Sequence, residues 1–428
     1  MLRLLSENLT KMEPPDFFFQ EKMMLDKRLI LKIFEAFSIE RWNDLVRPFQ
    51  LIEMDKAAEK MVLAYIFGKY EENRGAKLDW EWMIYASIFD LLKKIALCDI
   101  KSPVQHLIKT EYPAEYMRLN EWVLAQYRPL IHDDDLFSRF TMYIGQSAGS
   151  IPLEKTQKTT YRIFRAAHKY STLRELDMVS MVNEPCRVEK TKQELDSVIQ
   201  HFLDLRGMQL IITRQKPFDF LMKIEQLRFQ RRWNQTPRVP ATSVLGHCFF
   251  VAMLTVLLGR ESGFKISAAR LYNNFFSALF HDLPEAVTRD IISPVKQATN
   301  ELPQIVKKIE DQIVQKELVP LMEDFYRDEL LYFTSNEFAN RVLVNGKTRE
   351  VSWEELNHRY SDKNKPVEGK LVRLADHLSA LLEADSSIKH GITSSHLESG
   401  RDNMMKIYSK NKIINGIDAD SLFKMIVS

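Results

Sequence analysis

Two histidines and two aspartates in the second half of the chain are of the residue types that bind a divalent metal ion. His281 and Asp282 are adjacent in the stretch ALFHDLPEAVTRD, while His247 lies upstream and Asp376 far downstream. Imidazole nitrogens and carboxylate oxygens together suit Mn, Co, Fe, Ni or Zn, and sometimes Mg. A metal ion held in this way can turn water into a nucleophile at neutral pH. These four residues therefore predict a hydrolase that uses one divalent metal ion.

Three helical segments must bring these side chains together. His247 starts a long apolar helix, His281 ends a second helical stretch, and Asp376 lies in a third, KLVRLADHLSALLEA. A carboxylate buried in an apolar helix is costly without a partner, and a metal ion offsets that cost. An isolated His-Asp dipeptide is usually a surface pair. Here apolar residues flank the dipeptide, and a spaced His and Asp accompany it, which favours metal binding.

The composition indicates a soluble multidomain protein with a large core. The 428 residues predict two or three domains, and 45% of them are apolar. With 60 basic and 58 acidic residues, the net charge of +2 argues against binding to a nucleic acid polymer or an acidic membrane. Three scattered cysteines without a CxxC pair indicate reduced thiols and a cytoplasmic location. We expect Cys248, next to His247, to pack in the core rather than bind the metal.

The spacing of apolar residues predicts an all-α fold. Most segments repeat apolar residues with the 3.6-residue period of a helix, and alternating strand patterns are rare. One β-hairpin candidate lies near 340–353, in ANRVLVNGKTREVSW, where Asn345-Gly346 suits a tight turn between two short strands.

The chain also repeats itself. A shift of 191 positions places KIFEAFSIERWN (residues 32–43) over KIEQLRFQRRWN (residues 223–234) without a gap. The same shift aligns the DIxSPV strings that begin at Asp99 and Asp290. A longer shift aligns RAAHKYSTLRELD with RLADHLSALLEAD. The repeat predicts two tandem helical bundles, at 20–185 and 210–428, with the boundary near 185–215.

The two copies differ at the positions of the metal ligands. A Lys and a Leu in the first copy stand where the second has an imidazole and a carboxylate, and neither can replace them as ligands. We therefore expect the first copy to have lost the metal. The matched pairs are Lys56 with His247, Asp90 with His281, Leu91 with Asp282, Lys94 with Glu285, and His168 with Asp376.

The second half resembles the HD-domain metal-dependent phosphohydrolases, and more closely their bacterial 5'-deoxynucleotidase branch. The resemblance extends from Lys223 to about Asp385 and is carried by RRW, SVLGH, HDLPE, RDIISPVK, KKIEDQ and ADHLSALLE. It implies a helical HD-type bundle in each copy. It implies the metal ligands His247, His281, Asp282 and Asp376. Family members usually carry a Glu before the first histidine, and here that position is Gly246.

The resemblance also implies that Glu285 and Asp290 flank the reacting phosphate. Glu285 lies four residues beyond His281, one helical turn if the helix continues through Pro284, and can transfer a proton. Asp290 would orient water or the leaving 5'-oxygen. The competing interpretations are an exposed helix carboxylate for Glu285 and a helix N-cap for Asp290. The Asp99 retained in the first copy favours the cap.

Three more residues are candidate substrate contacts. In the resembling enzymes an Arg-Trp pair upstream of the first ligand contacts the phosphate and packs against the sugar, which assigns these roles to Arg232 and Trp233. Arg can bind a phosphate through two hydrogen bonds. The corresponding Arg41-Trp42 pair remains in the first copy, which indicates that the Arg-Trp pair also has a structural role. Lys296 is a further candidate phosphate contact.

The residues predict a metal-dependent hydrolase, and the resemblance implies a phosphohydrolase acting on a small nucleotide, with 5'-nucleotidase activity on (deoxy)nucleoside monophosphates through metal-activated water. Two alternatives stay open: an HD phosphodiesterase acting on a cyclic or alarmone nucleotide, and a regulatory protein that binds a nucleotide or metal without turnover. The first copy could stand where a second subunit would sit, as an internal pseudo-dimer, with or without further homodimerisation. It could instead bind a regulatory nucleotide through Arg41 and Arg47.

Overall fold

The computed structural model describes residues 23–98, 100–289, 299 and 301–428. Within these ranges the chain consists of helices with small antiparallel sheets, which confirms the predicted all-α class. Asp290 and Lys296 of the predicted site lie outside the described residues, as does Asp99 of the first copy.

Helices of the first half surround α2, which is buried along almost its whole length. Several of these helices begin where a side chain satisfies free backbone N–H groups: Asp79 accepts from the N–H of Trp82, and Asp133 from that of Leu136. The helices are α1 (Lys27–Phe34), α2 (Glu53–Asn73), α3 (Trp80–Ala96), α4 (Ser102–Glu111), α5 (Pro113–Tyr127), α6 (Asp134–Ala148) and α7 (Lys155–Ser180).

The segment at the expected boundary is helical. It contains α8 (Pro185–Gln200), which packs on α7, and α9 (Arg206–Ile212), which packs on α2 and on the helix that follows. The second half then runs through α10 (Lys216–Phe229), α11 (Val244–Gly259), α12 (Ala268–Leu279), α13 (Glu285–Thr288), α14 (Leu302–Glu317), α15 (Asp324–Thr334), α16 (Trp353–His358), α17 (Gly369–Lys389), α18 (Ser395–Ile407) and α19 (Ala419–Val427).

The predicted hairpin is confirmed. Strands β1 (Asn340–Val344) and β2 (Lys347–Glu350) pair antiparallel around Asn345-Gly346, and both turn residues have positive φ, as the tight turn requires. The structure adds a third strand, β3 (Val367–Glu368), on the other side of β1. A short ladder of β4 (Ile413–Ile414) and β5 (Ile417–Asp418) precedes α19 and was not expected from the sequence.

Backbone hydrogen bonds recur at the offset of the sequence repeat. The N–H of Arg41 donates to Leu51 O, and that of Arg232 donates to Thr242 O. Trp42 and Trp233, one residue later in each copy, share a left-handed backbone with φ of 55° and 54°. The repeat is therefore a repeat of backbone geometry as well as of residue types.

The two halves pack through their central helices, with α2 lying against α11 in one continuous core. Phe37 packs against Phe250 with ring centroids 5.8 Å apart, and Arg228 forms a buried ion pair with Glu59. The shift of 191 positions exchanges these two pairs, because Phe37 corresponds to Arg228 and Glu59 to Phe250. Such reciprocal contacts are what a twofold interface between equal subunits produces.

Candidate metal centre

Each predicted ligand stands on an element that fixes its direction. His247 lies in the first turns of α11, which begins where the Ser243 side chain caps the N–H of Gly246. His281 and Asp282 lie in the turn between α12 and α13. Asp376 lies on α17, which packs lengthwise against α11.

The structure brings these four side chains together. His247 Nε2 lies 3.0 Å from Asp376 Oδ1 and 3.9 Å from Asp282 Oδ2, while His281 Nε2 lies 3.2 Å from Asp282 Oδ2. Ligand atoms of His247, His281 and Asp282 all lie within 4.8 Å of one another. Both imidazoles are buried, whereas the two carboxylates are each 18% exposed, so the group is open on its carboxylate side.

Hydrogen bonds orient both imidazoles toward the shared centre. His247 Nδ1 lies 3.0 Å from Ser379 Oγ, and His281 Nδ1 lies 2.7 Å from the carbonyl of Ala278. A carbonyl can only accept, so His281 carries its proton on Nδ1 and keeps the Nε2 lone pair available. Among the described residues, the buried His247 Nε2 has no well-aligned hydrogen-bond partner, although Asp376 Oδ1 lies 3.0 Å away. An unsatisfied nitrogen facing two carboxylates is chemically suited to a divalent cation.

Neighbouring positive charges lower the pKa values of the two carboxyl groups by more than burial raises them. Burial acts to raise the pKa of Asp376, but His247 and Arg232 hold that pKa well below its usual range. The pKa of Asp282 is lowered in the same way, chiefly by His281. Burial and Arg232 lower the pKa of His247, whereas Asp282 outweighs burial and raises that of His281. Metal binding would therefore compete with a proton on His281.

Glu383 organises the residues beside the ligands, and the sequence did not single it out. This buried carboxylate accepts hydrogen bonds from Trp233 Nε1 at 2.8 Å and Thr242 Oγ1 at 2.8 Å. Arg232 Nε lies 3.3 Å from it, while the other Arg232 nitrogens lie 3.8 Å from Asp282 and 3.9 Å from Asp376. The guanidinium is thus placed at the open side of the ligand group.

The first copy repeats this arrangement. Glu175 accepts from Arg41 Nε at 2.7 Å and from Trp42 Nε1 at 3.0 Å. The Arg-Trp pair therefore has a structural role in both copies. The two copies differ in the other guanidinium nitrogens of this arginine. In the first copy Arg41 Nη1 binds Glu53 at 2.6 Å, whereas in the second copy those of Arg232 lie near Asp282 and Asp376.

Of the predicted catalytic residues, the structure describes Glu285 but not Asp290. Helix α12 ends at Leu279, so the helix does not continue from His281 through Pro284. Glu285 starts the new helix α13, with its N–H bonded to Asp282 O at 3.0 Å. The carbonyl of Glu285 is also bound by the Gln230 side chain at 2.9 Å. Phe338, just before β1, lies with its ring centroid 6.0 Å from that of His281. The segment that leads into the hairpin thus reaches the ligand group.

Ammonium groups fill the corresponding region of the first copy. Lys94 Nζ lies 2.9 Å from Glu53 and 3.4 Å from Asp90, and Lys60 Nζ lies 2.5 Å from Asp90. Lys56, the counterpart of His247, is fully buried and bonds to the Thr172 hydroxyl. Side-chain cations thus neutralise these acids, and the loss of the metal from the first copy stays a prediction.

This cluster predicts a pH-dependent stability. Burial acts to raise the pKa of Glu53, but Lys94 and Arg41 outweigh it and hold that pKa at about 2. A lowered pKa stabilises the fold above the usual value of 4.5, and the gain is lost as pH falls through about 2. We expect Glu53→Gln to lower the free energy of unfolding by about 3 kcal/mol at pH 7 and by much less near pH 2. Urea unfolding at both pH values measures this difference.

Glu40 supplies the matched control, since it is an exposed carboxylate paired with Arg47. Glu40→Gln should change the free energy of unfolding by less than about 1 kcal/mol. Equal losses for Glu53→Gln at pH 7 and near pH 2 would contradict the assigned role of the ammonium cluster.

Comparisons with known proteins agree with this geometry. The family model described as "HD domain" matches residues 224–405, which include all four predicted ligands. A 5'-deoxynucleotidase of Citrobacter koseri is 31% identical over 180 residues, which cover 41% of this chain and 76% of the relative. The chain belongs to the HD-domain phosphohydrolase family. Similar enzymes include a 5'-deoxynucleotidase of Klebsiella pneumoniae, 27% identical over 79% of its length, and 5'-deoxynucleotidase YfbR of Escherichia coli, 28% identical over 76%.

Membership of the HD-domain family establishes the general chemistry. The chain is a metal-dependent phosphohydrolase, and the matched part lies in its second half. No helix in the part of the chain that the structure describes has the length and apolarity that crossing a bilayer demands.

Proposed function

We propose that the second half of this HD-domain protein is a 5'-nucleotidase that releases phosphate from deoxynucleoside monophosphates. The observation that carries the proposal is the convergence of His247, His281, Asp282 and Asp376, with the Arg232 guanidinium at their open side. His247, His281, Asp282 and Asp376 would hold one divalent ion. When bound, the cation supplies positive charge that makes water more acidic and draws in the phosphate.

The residues of the chain have distinct roles in this proposal. Arg232, fixed by Glu383, binds the phosphoryl oxygens and disperses the charge that develops on them. Glu285 transfers a proton beside the reacting phosphate. Asp290 and Lys296 are proposed to orient the leaving oxygen and bind phosphate. The Trp233 indole packs against the sugar and disfavours a 2'-hydroxyl.

The domain organisation belongs to the same proposal. Residues 20–185 form a degenerate HD-like bundle without a metal, and residues 210–428 form the metal-binding bundle. The reciprocal contacts of Phe37 with Phe250 and of Arg228 with Glu59 support a pseudo-dimer in which the first copy takes the place of a second subunit.

A phosphate-release screen tests the activity. The full chain would be assayed with Mn, Co or Mg against deoxynucleoside and ribonucleoside 5'-monophosphates, 3'-monophosphates, cyclic nucleotides and an alarmone. We expect phosphate release from the 5'-monophosphates, fastest for the deoxy series. Turnover of a cyclic or alarmone nucleotide alone would replace the nucleotidase by a phosphodiesterase. No turnover of any substrate by metal-loaded protein would favour a regulatory role.

The Trp233 ring packs closely against Gly400. A Cβ atom on Gly400 of α18 would lie 2.5 Å from the Trp233 ring. Gly400→Ala should therefore push the indole toward the sugar, raise KM and lower kcat/KM about tenfold, because small displacements of positioning groups are costly. Metal content should not change. Asp402→Ala, an exposed change on the same helix, is the control. Unchanged kinetics for Gly400→Ala would remove Trp233 from the proposed substrate contacts.

A further inference from the structure

Asp55 of the first copy reaches across the interface to the helix that carries His247. Asp55 lies in the first turn of α2, is 2% exposed, and accepts a hydrogen bond from the Ser243 hydroxyl. Ser243 is the N-cap of α11, where its hydroxyl accepts from the N–H of Gly246 at 2.9 Å. The carbonyl of Ser243 accepts from the N–H of His247 at 3.1 Å. A chain of hydrogen bonds thus connects the first copy to the first metal ligand.

Gly246 leaves the space that Asp55 occupies. A Cβ atom on Gly246 would lie 2.6 Å from Asp55 Oδ1 and 2.9 Å from the Phe37 ring, so even an alanine would clash. Asp55 and Gly246 are matched positions of the sequence repeat. The acidic side chain is therefore present in the copy without metal ligands and absent from the copy that has them.

The charges around Asp55 come from three elements. Arg228 of α10 attracts the carboxylate, while Glu175 of α7 repels it, and the Ser243 hydroxyl of the α11 cap bonds to it. Burial is the largest influence and raises the pKa of Asp55 to about 6. The carboxylate is therefore ionised at pH 7.5, where negative charge at the N-terminus of α11 interacts favourably with the helix dipole.

We propose that Asp55 is a positioning residue for the metal centre of the other copy: it holds the Ser243 cap and so fixes the turn of α11 on which His247 stands. This inference rests on the proposed function, since it assigns a purpose to the degenerate copy within that function. The first copy then supplies the Asp55 carboxylate, for which the second copy has only Gly246. It also packs its helix α2 against the apolar helix α11 of the second copy.

Mn²⁺ binding to the full chain at pH 7.5 tests the inference. Wild type, Asp55→Asn, Ser243→Ala and the double variant would be compared. We expect the Kd for Mn²⁺ to rise about tenfold in each single variant, as for other groups that orient metal ligands. The double variant should be no weaker than the weaker single one, because both changes act on the same hydrogen bond: Asp55→Asn replaces its charged acceptor with a weaker neutral one, and Ser243→Ala removes its donor. Glu225→Gln is the control, because Glu225 is a buried carboxylate that pairs with Arg174 across the same interface, on α10.

Thermal stability distinguishes positioning from simple support of the fold. An acid whose pKa rises from 3.8 to about 6 on folding loses stability as pH increases through that range. Asp55→Asn should therefore melt no lower than wild type at pH 7.5 while binding Mn²⁺ more weakly. Glu225→Gln should melt lower with an unchanged Kd.

Two results would overturn the inference while the proposed function stands: wild-type Kd values in both Asp55→Asn and Ser243→Ala, or an equal rise in Glu225→Gln. If wild-type protein fails to bind Mn²⁺, the metal centre itself is rejected, and the role of Asp55 is rejected with it.

Discussion

Replacing Asp282 with Ala is expected to abolish stoichiometric metal binding and to lower kcat/KM about a thousandfold or more. Asp282 Oδ2 lies within 4 Å of the Nε2 atoms of both His247 and His281. Its replacement removes the carboxylate that lies between the two imidazoles. A metal ion contributes several kcal/mol to a hydrolytic transition state, which corresponds to about three orders of magnitude in rate. Elemental analysis of the purified variant and phosphate release under saturating Mn²⁺ measure both effects.

The first copy offers a matched control for Asp282→Ala. Asp90 is the counterpart of His281 and binds Lys60 and Lys94 rather than a ligand group. Asp90→Asn should lower stability, because it removes the carboxylate that pairs with the buried Lys60 ammonium group, but it should leave the metal content of the folded protein unchanged. Equal loss of metal in Asp90→Asn would place a metal in the first copy and contradict the proposed division of roles.

Replacing Glu285 with Gln is expected to lower kcat by a factor of about 100 to 10,000 while metal content stays at the wild-type value. Positioned proton transfer contributes that range, and Gln keeps the size of the side chain but cannot accept a proton. The backbone contacts of Glu285 to Asp282 and Gln230 do not involve the carboxylate, so the fold of this turn should persist.

Glu285→Gln separates the two classes of function that the sequence left open. A regulatory protein with a structural metal needs the four ligands but no further carboxylate, so its metal and nucleotide binding would be unaffected and there would be no turnover to lose. If metal and turnover disappear together in Glu285→Gln, the carboxylate supports the metal centre rather than proton transfer.

Much of the site could be predicted because its chemistry restricts residue types. Only a few side chains bind a divalent ion, and the appearance of His247, His281, Asp282 and Asp376 in apolar segments implied a common partner. The Asn345-Gly346 turn was predictable for a similar reason, since few dipeptides adopt positive φ twice. The helical class followed from periodicity alone.

Other parts of the site depend on contacts that no local pattern records. Glu383 resembled any helical glutamate, and its importance comes from Trp233 and Thr242, which lie far away in the sequence. The contact between Asp55 and Ser243 requires the relative placement of the two copies. One signal was available: Glu175 and Glu383 align when RAAHKYSTLRELD is placed over RLADHLSALLEAD, and a shared buried acid could have been sought there.

We propose that one metal ion binds in the second half of the chain, between four side chains. Anomalous diffraction from crystals of the full chain grown with Mn²⁺ tests it most directly. We expect one peak per chain, within bonding distance of His247, His281, Asp282 and Asp376. A peak beside Lys94 and Asp90, or no peak among the four ligands at saturating Mn²⁺, would contradict it.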